Sequence, residues 1–184
     1  MNQRPMNRRA SALFVTLVCA TMTVAAAEDE LFEEHHAHEH GVASLDVAVE
    51  GSRLVLQFRS PAMNLVGFEH RPRSAKDNDA VTRAMERLRQ PAAQFVPSAD
   101  AGCRVSKSDV AHPDWEDPTG HSEFAADYEF ECQRQAALQH LDVQLLRLLD
   151  ADMKIEVQVA APDGQHRAEL TRSNTRVALR TGRK

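Results

Sequence analysis

The chain of 184 residues has only three cysteines, Cys19, Cys103 and Cys132, and no two of them form a Cys-x-x-Cys pair. That excludes a dithiol redox motif and a thiolate zinc knuckle. His-Glu-x-x-His, Gly-x-Ser-x-Gly and a phosphate-cradling glycine loop are also missing. Without them no residue is assigned to catalysis or to binding a nucleotide cofactor. Acidic residues outnumber basic ones, 27 to 22, and no basic stripe runs along any segment, which argues against nucleic acid as a partner. The one long apolar run, Ala10 to Val24, is too short to be a stable membrane span. No internal repeat and no second folded domain are visible.

What surrounds that apolar run gives it a meaning. Arg4, Arg8 and Arg9 precede it without an acid among them, and Ala25-Ala26-Ala27 follow it before Glu28-Asp29-Glu30. A basic start, a short apolar stretch and a small-residue end are the parts of a secretory signal peptide. Cys19 follows Val18 inside the apolar run, which does not fit a lipoprotein signal. Cleavage is expected after Ala27. Removing 27 of 184 residues leaves 157, and losing three arginines takes the formal charge from −5 to −8. That length suffices for one domain with a core. Two cysteines remain, Cys103 and Cys132, and an even count in an exported protein points to a disulfide. Closing such a loop contributes about 3–4 kcal/mol in the chain-entropy view.

The mature part divides into an acidic, histidine-rich segment, 28–41, and a folded domain, 42–184. Leu45, Val47 and Val49 alternate with polar residues, Gly51-Ser52 turns the chain, and Leu54, Leu56 and Phe58 alternate again. Two such runs form an antiparallel hairpin. Pro61 ends the second strand, and Gly67 allows an unusual backbone angle in a segment that is neither clean strand nor clean helix. From Asp77 to Gln90, Val81, Ala84, Met85 and Leu88 repeat at helical spacing; Asp77 is the expected cap and Pro91 the stop. Cys103 to Val110 is a strand. Phe124, Ala126, Tyr128, Phe130 and Cys132 share one face of another, with Glu123, Asp127, Glu129 and Glu131 on the opposite face. A strand from His140 to Leu145 followed by a helical turn is expected next. Strands around Ile155–Val159, Arg167–Thr171 and Val177–Leu179 close the chain. The fold class is α+β: a mostly antiparallel sheet, one main helix, a single domain and one disulfide.

Four of the nine histidines, His35, His36, His38 and His40, fall within six positions beside Glu33, Glu34 and Glu39. His36, His38 and His40 alternate, so an extended backbone would present them along one edge. Neutral imidazole is the commonest side-chain ligand for borderline metals, and histidine-rich tracts are a compositional metal signal. His70 stands beside Glu69, and His121 stands two residues from Glu123, each a further candidate ligand. His112 lies in an acidic loop, and His140 and His166 lie in strands, where they read as structural.

These pieces form an ordered set: His38-x-His40-Gly41 leading into the first hairpin, Ser60-Pro61-Ala62 with Gly67-Phe68-Glu69-His70, and His121-Ser122-Glu123-Phe124 with Tyr128, Phe130 and Cys132, then Gly164-Gln165 before a terminal hairpin. As a set they resemble the ZrgA-type periplasmic zinc-uptake proteins of Gram-negative bacteria, over nearly all the mature chain. The resemblance implies a periplasmic protein that binds Zn2+ and assists a zinc ABC importer or its periplasmic binding protein. It implies ligands among His38, His40, His70 and His121, with His35 and His36 as outer members of the tract. Relatives often carry a long His/Asp tract between the cysteine-bearing strands; here the loop from Asp109 to Gly120 holds only His112. The competing readings are a copper or nickel binder of the same kind, a zinc-dependent hydrolase, and an envelope structural or interaction module with incidental histidines.

Exported material should begin at Glu28 and show no free thiol without reduction. Intact mass and thiol titration of the denatured, oxidised protein check this; a full-length chain or two titratable thiols would contradict it.

Overall fold

The computed structural model of the chain describes residues 41–116, 121–150 and 152–180. The expected signal peptide and the tract His35, His36, His38 and His40 lie outside the described residues.

The alternating runs become strands β1 (Val42–Glu50) and β2 (Arg53–Pro61), joined through Gly51 at a positive φ of 60°. Their register sets Val47 opposite Leu56 and Leu45 opposite Phe58, so both apolar sets share one face. Pro61, which has no N–H for a ladder, ends β2. A five-residue helix, α1 (Ala62–Val66), follows and stops at Gly67, whose φ of 84° lets its N–H reach Met63 O at 2.9 Å.

Helix α2 spans Ala75–Leu88 and buries Val81, Ala84, Met85 and Leu88, the four positions that the spacing picks out. Its cap is Ser74 rather than Asp77. Ser74 Oγ accepts from Asp77 N–H, and the Asp77 carboxylate accepts in return from Ser74 N–H and Arg73 N–H. The correction follows from this reciprocal box, which starts the helix two residues earlier and uses the acid inside the first turn. The Arg73 N–H, with Ser74, holds the Asp77 carboxyl below its ordinary range.

A short helix α3 (Pro91–Gln94), then β3 (Phe95–Pro97), lead to β4 (Cys103–Ala111) and β5 (Glu123–Cys132). Cys103 lies directly opposite Cys132, and the two form the disulfide, closing a separation of 29 residues. After β6 (His140–Val143) the chain enters a 3-10 turn, Gln144–Leu148. The strand is shorter than expected because Leu145 and Leu146 are both buried, and consecutive residues of a one-sided strand cannot both face the core. Strands β7 (Lys154–Ala161), β8 (Gly164–Thr171) and β9 (Arg176–Ala178) complete the chain.

Six strands form the main sheet in the order β4-β5-β2-β1-β7-β8, antiparallel except for the parallel pair β1 and β7. The strand after Ser173-Asn174 does not extend it. Instead β9 pairs with β6, which pairs with β3, in a second sheet of three strands. That small sheet and α2 contribute to one hydrophobic core with the inner face of the main sheet. Phe95 of β3 lies 6.1 Å from Phe58 and 5.3 Å from Tyr128, ring centre to ring centre. Each such buried aromatic or aliphatic side chain contributes about 1.5–3 kcal/mol. The opposite face keeps Arg53, Arg59, Asp127, Glu129 and Lys154 in surface ion pairs. Among the described residues no helix is long and apolar enough to cross a membrane.

Tyr128 joins sheet to helix with its polar end. Its hydroxyl donates to Leu88 O at 2.7 Å, one of the carbonyls left unpaired at the end of α2, and burial pushes the hydroxyl above its ordinary range of ionisation. Tyr128→Phe should therefore lower stability by about 1–2 kcal/mol, since a buried carbonyl loses its donor. Urea unfolding with an unchanged m-value checks it.

Candidate metal centre

The strand register gathers several chain segments at one end of the main sheet. Val42 pairs with Lys154, Pro61 with Glu123, and Ala111 with Ala125. The start of β1, the ends of β2 and β4 and the start of β5 are thus neighbours. The two described histidines named as candidate ligands, His70 and His121, both leave from this end.

Gly67 turns the chain out of α1 and sends Phe68 back against the core, so that Glu69 and His70 follow from an anchored residue. The His70 ring stacks on Phe68 at 4.9 Å with 17° between planes, and Phe68 meets Trp115 at 5.9 Å. His70 Nδ1 lies 2.9 Å from Arg71 O. A carbonyl can only accept, so Nδ1 carries the proton and the Nε2 lone pair is left for a ligand. That is the usual way a second hydrogen bond fixes a metal-binding imidazole. Arg71 in turn forms an ion pair with Glu116, bridging this loop to the one after β4.

Ser122, buried just before β5, ties the same loops together. Its hydroxyl lies 2.9 Å from Asp114 O and 3.2 Å from Glu69 O, and its carbonyl accepts from Ala62 N–H at 2.7 Å. His121 is exposed beside it. Its Nδ1 is 3.9 Å from Glu69 Oε2, longer than a hydrogen bond. The Glu69 side chain is only 15% exposed, against 48% for His121. Sequence reading set His121 beside Glu123; the structure also brings Glu69 close to it, and β5 begins only at Glu123, so His121 stands just outside the strand alternation.

Gly41, the first described residue, joins the same end. Its N–H donates to Asn64 Oδ1 at 2.8 Å, and Asn64 Nδ2 donates to Val42 O at 2.8 Å. His40 is covalently the next residue upstream. Among the described residues no three histidine, cysteine or carboxylate side chains gather into a group able to hold a metal ion. Glu69 and His121 approach each other at this end and His70 leaves from it too, each with an imidazole or carboxylate of the kind that zinc accepts.

Two other features are less apt. A shallow depression of about 500 Å³ on the open face of the sheet is lined by Asp46, Gln57, Gln158 and Arg167 with a single histidine, His166. The His166 ring bonds to Ala178 O at 3.0 Å, tying β8 to β9. The second feature is Ser98, His140 and Asp142, which stand in a row: Ser98 Oγ is 3.2 Å from His140 Nδ1, and His140 Nε2 is 3.7 Å from Asp142 Oδ2. The row mimics a hydrolytic triad but is used for structure. Ser98 is 6% exposed, and its Oγ accepts from both Gln139 N–H and His140 N–H. Asp142 is held by both Arg176 Nε and Nη2, and those bonds keep its carboxyl below the usual range.

Residues 37–179 match the family described as ZrgA family zinc uptake protein. The chain belongs to the ZrgA family. Membership supports a role in zinc uptake. The span matched to ZrgA takes in His38, His40, His70 and His121 and begins after His35 and His36. Among curated proteins none is significantly similar to the chain. The Cys103–Cys132 disulfide fits a protein of an oxidising compartment.

Ser98→Ala should cost about 1–3 kcal/mol of stability, because two amides lose their acceptor. Chemical denaturation measures that. A hydrolytic serine would instead show itself as an esterase activity lost in a variant of unchanged stability.

Proposed function

We propose that the protein is a non-enzymatic periplasmic carrier that captures Zn2+ and assists its high-affinity import, handing the ion to an importer or to that importer's periplasmic binding protein. Zinc is the cargo. The observation that carries the reading is the state of His70: stacked on Phe68 and protonated at Nδ1 by its bond to Arg71 O, it offers a fixed Nε2 at the sheet end where His121, Glu69 and Gly41 also lie. His38 and His40, just upstream of Gly41, would complete the set. His35 and His36 would be outer, weaker capture sites. Imidazole and carboxylate donors also suit copper(II), which binds nitrogen and oxygen sites more tightly by intrinsic order. The family's role in zinc uptake favours zinc as the ion.

Donors whose rings are already fixed lose less entropy on binding. His70→Ala with His121→Ala should therefore weaken the tightest zinc site, by about tenfold or more per lost contact, about 1.4 kcal/mol each. His35→Ala with His36→Ala should reduce the number of zinc ions bound and leave the tightest site intact. Calorimetric titration of untagged mature protein against a competing chelator separates the two; an intact tightest site in the first variant would refute the core site. Protonated imidazole cannot coordinate, and histidine ordinarily titrates near ~6.5. Zinc affinity should accordingly fall steeply from about pH 7.5 to about pH 5.5, and a flat profile would point to carboxylates alone.

A further inference from the structure

No segment of the chain is basic throughout, yet the winding of α2 brings separated bases into line. Lys76, Arg83 and Arg87 follow one another at i, i+7 and i+11, which keeps them within an arc of about 40° on the helix. All three are exposed, and they span about 16 Å along the axis. Arg73, just ahead of the Ser74 cap, and Arg89, at the C-cap, stand at the two ends. From Arg71 to Arg89 six bases stand with three acids, in a chain of formal charge −5.

The cations of the sheet face are neutralised: Arg53, Arg59, Lys107 and Lys154 all ion-pair with carboxylates. Of the six bases around α2 only Arg71 has such a partner, Glu116; among the described residues the other five have none. The spacing of Asp79 and Glu86 permits pairs with Arg83 along the helix, at i, i+4 and i, i+3, and neither is formed. Asp77 is occupied by the capping box. Helix stability accounts for Arg87 and Arg89, which lie at the negative end of the helix dipole. It does not account for Lys76 in the first turn or for Arg73 ahead of it, where a cation is disfavoured.

We propose that the row Lys76, Arg83 and Arg87 is a docking surface for a protein that presents a row of carboxylates, the importer's periplasmic zinc-binding protein. This rests on the carrier role proposed above. Complementary surface charge raises the rate of encounter and fixes orientation more than it raises affinity, which suits a partner that must leave again. Arg73, at one end of the row, is three residues from His70 and so within about 11 Å of it, Cα to Cα. A partner seated along α2 therefore lies beside an imidazole of the candidate site. An anionic membrane fits the row less well. Asp79 and Glu86, themselves seven residues apart, form an acidic row next to it, and no large apolar side chain of α2 is exposed to enter a bilayer. A protein can set a cation opposite each acid; a lipid surface cannot.

The test mixes zinc-loaded mature chain with the purified, metal-free binding protein and follows the second-order rate of zinc transfer at several salt concentrations. The wild-type rate should fall steeply as salt rises. Lys76→Glu, Arg83→Glu, Arg87→Glu together should lower the rate at low salt at least tenfold and flatten its salt dependence, with zinc affinity, read by chelator competition, within twofold of wild type. Arg104→Glu, Arg134→Glu, Arg147→Glu make the same change in net charge away from α2 and should lower the rate less than threefold. Thermal unfolding verifies that each variant is folded. The triple glutamine variant of the row, which removes charge without repelling Asp79 and Glu86, should show a smaller loss of the same kind and decides the matter if the reversed variant does not fold. Equal losses in the row and control variants, or a transfer rate independent of the binding protein's concentration, would overturn the surface. So would binding to phosphatidylglycerol vesicles that needs the row while transfer does not. If the wild-type chain binds no zinc, the carrier role fails and the surface with it, a result obtained before any partner is added.

Discussion

One-sided burial of a six-stranded sheet is the constraint on which the rest depends. Leu45, Leu56, Tyr128 and Val157 fall on one face because each strand keeps a strict period of two. A slip of one residue between any two strands would expose an entire apolar set. Register is therefore strongly fixed, and register decides which chain ends become neighbours. Pro61 opposite Glu123 and Val42 beside Lys154 are consequences of core packing, yet they bring together the segments that hold His70, His121 and Gly41. The candidate site is located by the hydrophobic pattern of the strands, with α1 as the short connection from which Glu69 and His70 follow.

The disulfide and Tyr128 both act from the core face of β5. Cys103 to Cys132 pins the edge strand β4, which is exposed along most of its length, and constrains the unfolded chain by closing a loop of 29 residues, about 3–4 kcal/mol in the entropic view. Tyr128 fastens the helix to the sheet interior. Loops between such fixed elements can be small and still hold a defined shape. Phe68 between His70 and Trp115, and the Ser122 bonds to two carbonyls, are what a loop needs when it has no ladder.

Most of the sheet was legible in the sequence because alternation is a local signal. Leu54, Leu56 and Phe58, or Phe124 to Cys132, can be read without knowing any partner, and the four apolar positions of α2 likewise. The failures are those in which a distant partner decides. The acid at Asp77 was visible, but whether it caps or accepts from the cap depends on which backbone amide comes free. Leu141, Val143 and Leu145 fit a strand while Leu138, Leu141, Leu145 and Leu148 fit a helix, and only burial of Leu145 beside Leu146 ends the strand at Val143. The pairing of β6 with β9 and β3 could not be read, since strands of three or four residues have no period to speak of. At the site, His70 and His121 were visible as residue types. The Glu69 partner of His121, the Arg71 carbonyl that sets the His70 tautomer and the Asn64 bridge were not, because each is a meeting of segments 23 or more residues apart or a matter of ring orientation.

On the proposed reading, a carrier's donors must both bind zinc and give it up. Donors on one chain meet a bound ion as intramolecular partners at high effective concentration, which favours binding. Release needs the reverse property, access. His70 and His121 are both exposed, so a competing ligand from a partner could displace them one at a time without opening the core. Buried ligands would bind more tightly and exchange more slowly. On the proposed reading, exposed imidazoles on anchored loops, with Glu69 largely covered beside His121, favour transfer over storage, in keeping with a loop from Asp109 to Gly120 that holds only His112.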